Sequence, residues 1–504
     1  MGVVLILLVT VPLAAGIVAL VAPPRLTRAV TVGCGVTCFA LAVSLVGAAG
    51  SGEVRAARYL RVDALSVVFL LATAFLYACA AAYAVGYVTP EKGEADFPRY
   101  ARRFYAGLNV FAWSMLAAPL VNGLALLWVA VEVTTVVSAL LVAIEDTDGA
   151  AEAAWKYVLL ASAGLGIALL ATIVMYYAGS QVLGASYELT FDPLLASAAG
   201  LPAGAVRLAF VLAVVGFGTK MGLVPMHTWL PDAHSEAPTP VSALLSGSLL
   251  VVSFYAVLRY FQVARAAVGP HFPQTVLLVF GVASLLLAAL CLLDQPDVKR
   301  LLAYSSVEHM GILAVGVGFG APLALAGVLL HVLAHAAAKG NAFFGAGVLV
   351  RKFGTKSVTE IRGALDALPW TAPLFLLAVL ALSAFPPFGL FRSEFQIVAG
   401  GMAASEHAMA AVLVVLVTVA FLGLSLVTTR MVFLPRRHPR PGDAALQRSE
   451  PSAAVAVVPR SEPSGWMVAP MVAGLVALVV LGVHPPGDLT DLLSRAVAEL
   501  RGLG

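Results

Sequence analysis

The residues that could do chemistry in this chain are ionisable groups set inside long apolar runs. Glu132 lies in LLWVAVEVTTVVSALLV, with Thr134, Thr135 and Ser138 close by. Lys220 lies in GFGTKMGLVPMHTWLPDAHSEAPTPVSALLSGS, with no acid beside it in sequence. Gly222 and Pro225 then interrupt that run, and His227, Asp232, His234 and Glu236 follow. In HVLAHAAAKG, His331, His335 and Lys339 recur at every fourth residue. On a helix these three line one face, because each four-residue step drifts by only about 40°. Arg392 and Glu394 stand behind Pro386, Pro387 and Gly389 in ALSAFPPFGLFRSEFQIV, and DQPDVKRLLAYSSVEHMG carries Glu308 and His309. A charge at bilayer depth is costly and turns toward partners or water, so such groups mark ion or proton paths. Broken backbone at that depth survives only where protein or a water-filled cavity satisfies its polar groups. Carboxylate, ammonium and imidazole can each hold and release a proton, so a relay is the chemistry this set supports.

Each group also has a plainer reading. A lysine can snorkel to the interface, and a protonated glutamate can serve packing alone. Two histidines four apart could bind a metal, but no HEXXH glutamate accompanies them, and the relay is the reading we carry forward, with no metal site. The Pro-broken span could be a kinked helix with an interfacial Arg–Glu pair. Glu132 and Lys220, opposite in charge, could pair across helices, each altering the other's hold on its proton. Lys299 and Arg300 alone read as ordinary anchors on the positively charged side of the membrane. Asp63, in RVDALSVVF, is placed to cap the helix it precedes.

The elements that must position these groups are membrane helices. The chain has 504 residues, 61% hydrophobic and 11% charged, with mean hydropathy +0.96, which excludes a soluble enzyme. Apolar runs of spanning length fall at 2–22, 29–49, 64–88, 104–120, 122–144, 153–178, 206–226, 240–262, 272–293, 300–320, 322–350, 370–398, 405–434 and 466–484. The fold class is therefore an all-α membrane protein of about fourteen transmembrane helices. Two spans, around Lys220 and around Pro386, are Gly/Pro-interrupted beside a charge, the pattern of an inverted-repeat transporter. With both termini outside, Lys and Arg in the connecting segments divide 19 inside to 5 outside, the bias of the positive-inside rule. The first 22 residues lack a basic leader and read as a retained helix. Residues 435–465, rich in Pro, Arg and Ser with RSEPS twice, read as a flexible linker on the cytoplasmic side, and no long amphipathic helix is expected after the last span. Cys34, Cys38, Cys79 and Cys291 lie in apolar segments and read as packing residues. No iron–sulfur, haem or nucleotide motif is visible, so no cofactor is expected in this chain.

FGTKMGLVPMHTWLPDAHSEAPTPVSALLSG, DVKRLLAYSSVEHMG, HVLAHAAAKGNAFF and FPPFGLFRSEF together resemble the antiporter-like membrane subunits of complex I, Mrp-type cation/proton antiporters and group 4 membrane-bound hydrogenases. The resemblance runs from about Asp63 to Arg430, and PDAHSEAPTPVSALLSG looks closest to the hydrogenase-4 component F branch. It implies fourteen transmembrane helices with two inverted five-helix repeats, each with a broken helix. It assigns Glu132 and Lys220 to a family glutamate–lysine pair. Glu394 falls at the outlet side, and His331, His335 and Lys339 on the central hydrated axis. One position departs: where many relatives carry a lysine in the eighth helix, this chain has Val251. A path past it must use water or another polar group, with His234, Ser246, Ser248, Ser253 and the histidines of the eleventh helix as candidates.

The expected organisation is N-terminal helices at 1–103, a first antiporter-like repeat at 104–262, a second at 272–434, the linker, and a last helix and tail at 466–504. The expected function is a proton-translocating, non-redox subunit of a redox-driven complex, NADH–quinone oxidoreductase-like or hydrogenase-4-like, multi-pass in a bacterial-type plasma membrane. The proton path expected from the sequence runs through Glu132, Lys220, His227, His234, His309, His331, His335, Lys339 and Glu394. Other membrane subunits and a soluble redox arm would be its partners, with protons or Na⁺ as cargo and no nucleic acid. A Mrp-type Na⁺/H⁺ antiporter subunit and a non-conducting membrane anchor are the alternatives.

Overall fold

The computed structural model describes residues 1–89, 96–435 and 460–503. The chain opens with helices α1 (Gly2–Val21), α2 (Pro24–Ser44) and α3 (Val46–Ser51), then a small antiparallel hairpin, β1 (Val54–Ala57) and β2 (Leu60–Val62). Next come α4 (Ala64–Tyr87), α5 (Phe97–Ala117), α6 (Leu124–Val142), α7 (Asp148–Leu183), the short α8 (Phe191–Ala196), α9 (Ala203–Met221) and α10 (Trp229–Glu236). Then α11 (Thr239–Leu244) runs through a π-helical turn at Leu245–Leu249 into α12 (Leu250–Val268). The remainder is α13 (His271–Leu292), α14 (Val298–Phe319), α15 (Pro322–Phe353), α16 (Ala364–Ala367), α17 (Thr371–Leu382), α18 (Gly389–Ala403), α19 (His407–Phe433), α20 (Gly465–Val483) and α21 (Gly487–Leu500).

Among the described residues, 12 helices are long and apolar enough to cross a membrane, and the protein is an all-α membrane protein. α5, with Arg99, Arg102 and Arg103 near its start, and the split α17–α18 fall outside that measure. α4, α11–α12, α14 and α15 are apolar yet enclosed almost all round, so they form the axis of the bundle. α1, α2, α13, α19 and α20 keep exposed apolar side chains such as Ile17, Val36, Val279, Val415 and Val476, the lipid-facing rim.

The two apolar runs with Gly/Pro interruptions are both broken, and both close alike. α9 ends where Gly222 takes a left-handed φ of 85°, and Leu223 N–H reaches back to the Gly218 carbonyl at 2.8 Å. α17 ends with Ala384 at φ 52°, and Phe385 N–H reaches the Leu380 carbonyl at 3.0 Å. Each closure satisfies the last carbonyls before prolines forbid further helix. The run 370–398 is thus two helices, α17 and α18.

Three further differences from the sequence reading have physical causes. α5 begins at Phe97 rather than 104, because its basic first turns form helix while carrying too much charge to read as apolar. Of the linker, residues 436–459 lie outside the described residues, as does Lys92. Its end is fixed: Lys352 Nζ donates to the Ser461 carbonyl at 2.9 Å, and Glu462 accepts from Trp370 N–H at 2.7 Å. After the last span the chain forms α21, an amphipathic helix of 14 residues with Leu492, Leu493, Ala496, Val497 and Leu500 buried. Its charged face dilutes the apolar signal below that of a span.

Asp63 caps α4 as expected, accepting from Ser66 N–H at 2.9 Å. It also pairs with Arg259 at 2.7 Å, both side chains almost fully enclosed. Burial opposes its charge, but the guanidinium groups of Arg259 and Arg61 outweigh this and hold Asp63 well below the usual carboxylate range. Arg259 donates besides to Tyr255, Gln262 and Ser66, so every face of the guanidinium is used. The α21 residue Glu499 accepts from the N–H groups of Ala64 and Leu65 at 3.1 and 3.0 Å, clasping the same corner. Arg259 lies inside the span 240–262, so the rule that singled out Glu132 applied to it too. Its contacts make it a structural lock.

Candidate functional site

Lys220, in the last turn of α9, is fully buried. Its ammonium donates to Thr135 Oγ1 of α6 at 2.7 Å and to the Tyr157 hydroxyl of α7 at 2.5 Å. Tyr157 can reach it because α7 and α9 touch backbone to backbone: a Cβ on Gly216 would lie 2.4 Å from the Ala168 nitrogen. The Tyr157 hydroxyl also meets Ser138 Oγ at 2.7 Å, and its ring packs at a tilt against Trp229 of α10, centroids 4.5 Å apart. The Trp229 indole donates in turn to the Thr219 carbonyl at 2.8 Å, so the segment after the break folds back over the lysine.

Glu132 and Lys220 are neighbours without an ion pair. Glu132 stands one turn from Thr135 on α6, half-buried, and its Oε2 has no hydrogen-bond partner. Two hydroxyls, not the carboxylate, hold the ammonium. A hydroxyl both donates and accepts, so these contacts serve the amine charged or neutral.

α14, α15 and α18 assemble the second cluster. Lys339 is fully buried and donates to the Leu302 carbonyl at 3.1 Å and to Ser305 Oγ. One and two turns back on α15 stand His335 and His331, as the spacing predicts. His309 of α14 joins them: its Nδ1 lies 3.0 Å from His331 Nε2, and its ring centroid is 5.1 Å from both α15 imidazoles. His331 Nδ1 lies 3.0 Å from Ser393 Oγ, next in sequence to Glu394 on α18. Glu394 is buried and lines a cavity of about 390 Å³ with Ile312, Phe391 and Phe395. Glu308 is buried beside His309, its Oε2 without a partner.

Between the clusters lies His234, fully buried, with neither ring nitrogen bonded. Its ring is 6.4 Å from Trp229 and 5.4 Å from Phe343 of α15. Val251 is buried on α12 and contributes no polar group. Just before it, the π turn leaves the Ser246 carbonyl 3.3 Å from His335 Nε2, and Ser246 Oγ meets Ser306 Oγ at 2.7 Å. Ser248 instead turns to Thr73 at 2.9 Å, and Ser253 bonds its own helix at Leu249. His227 is buried beside Tyr304 on the broken segment, with its Nδ1 unbonded.

One imidazole nitrogen from each of His309, His331 and His335 lies within 4.8 Å of the other two. Three nitrogens so placed could hold a divalent cation, a set the i, i+4 spacing lacked without His309. The nearby Lys339 ammonium opposes a second positive charge there. Sequence reasoning missed Tyr157, which carries no spacing signal, and Ser305 and Ser393, whose types are ordinary in helices. It also misread Lys299, which is not an interfacial anchor. Lys299 is buried and donates to the Ser235 and Ala237 carbonyls at 3.3 and 2.8 Å. Arg300 does reach outward, to Asp232 at 3.0 Å.

Comparisons with known proteins follow the same lines. Residues 121–421 match the family described as NADH:quinone oxidoreductase/Mrp antiporter, transmembrane. The chain is 36% identical over 392 residues to a hydrogenase-4 component F homolog of Methylacidiphilum infernorum, covering 77% of this chain and 81% of that protein. It is 30% identical over 439 residues to NADH-quinone oxidoreductase subunit N of Desulforudis audaxviator, covering 86% and 84%. A chain in the Mrp complex from Dietzia sp. superposes with a TM-score of 0.83 at 24% identity, covering 99% of this chain and 97% of that one, which speaks for the fold.

Proposed function

From the premise that the chain belongs to the NADH:quinone oxidoreductase/Mrp antiporter membrane family, we propose that it is the proton-translocating subunit of a redox-driven membrane complex. The observation that carries this reading is the pair of buried lysines, Lys220 and Lys339, each held by a hydroxyl, with Tyr157 passing on to Ser138 beside the first and the α15 imidazoles one and two turns from the second. Charges kept at depth without an ion-pair partner, unlike Arg259 beside Asp63, carry a continuing energetic cost, which a purely structural membrane anchor has no reason to bear.

Proton movement then has named stations. Glu132, beside Thr135, sets the electrostatic state in which Lys220 holds or releases its proton to Tyr157 and Ser138. His234, together with the Ser246–Ser306 contact, spans the region where Val251 offers nothing. Lys339, His335, His309 and His331 continue the line to Ser393 and Glu394. The two similar helix breaks support the two inverted repeats, at 104–262 and 272–434, and a count of about fourteen membrane helices. The Lys/Arg bias supports both termini outside a bacterial-type plasma membrane. Electron transfer belongs to partner subunits, by analogy with the hydrogenase-4 and NADH-quinone oxidoreductase relatives.

Tagging the chain, extracting it in mild detergent and identifying what co-purifies tests the assignment. A NiFe-type large subunit or other redox arm is the expected company. Recovery with small membrane subunits alone would replace this reading with a Mrp-type antiporter, and recovery with one soluble enzyme would replace it with an anchor.

A further inference from the structure

One cavity in the bundle is apolar and opens toward lipid. It measures about 370 Å³ and lies where α2 and α3 meet α4, α15, α20 and the first turn of α21. Leu71 and Phe75 of α4, Leu333 and Ala337 of α15 and Leu481 of α20 are among its walls. Among the described residues that line it, Asp488 alone carries a polar side chain. Its mouth lies on the lipid-facing rim, between the exposed Val43 of α2 and Val480 of α20.

Here the axis of the bundle comes within reach of lipid. Leu333 is 8% exposed, whereas His331 and His335, two residues to either side, are fully enclosed. Two residues turn a helix by about 200°, so the cavity meets α15 on the face opposite its imidazoles. An apolar cavity stays dry, and left empty it forfeits packing contacts for every side chain around it. Inside a membrane the filler at hand is an acyl chain. Ala477, on the cavity wall, stands about 9 Å inside the end of α20, so a chain entering beside α21 is sheathed over several methylenes.

The groups at the mouth complement a zwitterion. α21 begins directly after Pro485 and Pro486, with no side-chain cap on its first turn. Its free N–H groups and the positive end of its dipole attract a phosphate. Asp488, in that same turn, is exposed at the cavity. Its carboxylate repels a headgroup that carries negative charge alone and attracts one that also carries an ammonium.

We propose that this cavity is a lipid site, taking one acyl chain of a phospholipid with an amine headgroup, its phosphate at the start of α21 and its ammonium beside Asp488. The chain packs against Leu333 and Ala337, the back of the α15 histidine stripe, so the bilayer supplies the missing wall behind that helix. Binding makes and breaks no bond, and the site stands whether or not the complex moves protons.

The test uses the full complex in vesicles of phosphatidylethanolamine or of phosphatidylglycerol, each lipid bearing a photoreactive diazirine on one acyl chain. Attachment after illumination is located by mass spectrometry. Attachment at residues 71–75 or 333–337, at least about threefold greater from phosphatidylethanolamine, is expected, the scale of one charge at a membrane surface. Gly47→Trp, at a cavity-lining position where an added Cβ meets nothing within 4 Å, should cut that attachment by about fivefold or more, since an indole takes the room of the chain. Asp488→Lys should turn the preference toward phosphatidylglycerol by about threefold. Equal attachment from both lipids in the parent, or attachment in Gly47→Trp within about twofold of the parent, overturns the site. Absence of attachment at these residues overturns it too, and assigns the cavity to a partner helix or a neutral isoprenoid. Asp488 is exposed, so its variant judges the headgroup even where Gly47→Trp fails to assemble: an unchanged preference refutes the assignment. Attachment is read without proton flux, so its outcome and that of the translocation reading are separate.

Discussion

Lys220 and Lys339 are both fully enclosed, yet their surroundings differ in kind. Lys220 is held by two hydroxyls, with the Glu132 carboxylate nearby but unpaired. Lys339 is held by a carbonyl and a serine and looks onto three touching imidazoles, with Glu308 and Glu394 beyond. The first half therefore resembles a switch, one ammonium whose state is set by one nearby, unpaired acid. The second resembles a wire, with neighbouring donors and acceptors along α15 and α14. Neither lysine is locked to a carboxylate, and that is informative. A tight buried ion pair fixes its protons, as Asp63–Arg259 does at the corner clasped by α21.

Changes at these sites should therefore differ in size. The largest effect is expected from Lys339→Ala, with a loss of proton translocation of about a hundredfold or more in the assembled complex, since the ammonium that faces the imidazoles is gone. Residual transport after that change would mean that the imidazoles conduct alone. Next, His331→Leu cuts both links of its ring, to His309 and Ser393, and should cost about ten- to a hundredfold, whereas Tyr157→Phe keeps the ring against Trp229 and should cost less than about tenfold. Equal losses in the two variants, read as initial rates in vesicles, would erase the distinction between switch and wire.

The gap between the halves can be probed by rescue. His234→Ala should slow translocation by about tenfold, and adding Val251→Lys should recover most of that, because an ammonium is returned to the position this chain left apolar. Failure of the double variant to recover would place the crossing elsewhere than beside α12.

The smallest effect tests the frame both halves share. Burial, reinforced by the neighbouring Asp63 carboxylate, pushes Glu499 up to about 7. A raised carboxyl binds its proton more tightly folded than unfolded, so its cost to stability is full above about pH 7 and fades as pH falls toward its unfolded value. The thermal midpoint should rise by about 2 °C from pH 8 to pH 6, and Glu499→Gln should flatten that slope. An unchanged slope in the variant would assign the pH dependence to another group.

Much of this was legible in sequence because the bilayer makes charge conspicuous. Lys220, Glu132 and the α15 stripe were found by one rule, that an ionisable group in an apolar run needs a reason. Both helix breaks were announced by Gly222 with Pro225 and by Pro386 with Pro387. What periodicity could not supply was contact between helices. His309 meets His331 from another helix, Tyr157 reaches Lys220 only because Gly216 lets α7 and α9 close up, and Lys299 turns inward although it opens a helix at a loop. The expected Glu132–Lys220 contact fails for the same reason: opposite charge predicts attraction, while packing decides which group the ammonium reaches.

The most direct test of proton translocation is ion flux in sealed vesicles carrying the purified complex, with the electron donor its redox partners accept, comparing the parent with Lys220→Ala. Proton movement that requires the donor, ignores Na⁺ and vanishes in Lys220→Ala while electron transfer persists is the expected result. Na⁺-dependent proton flux without any donor, or undiminished pumping by Lys220→Ala, would contradict it.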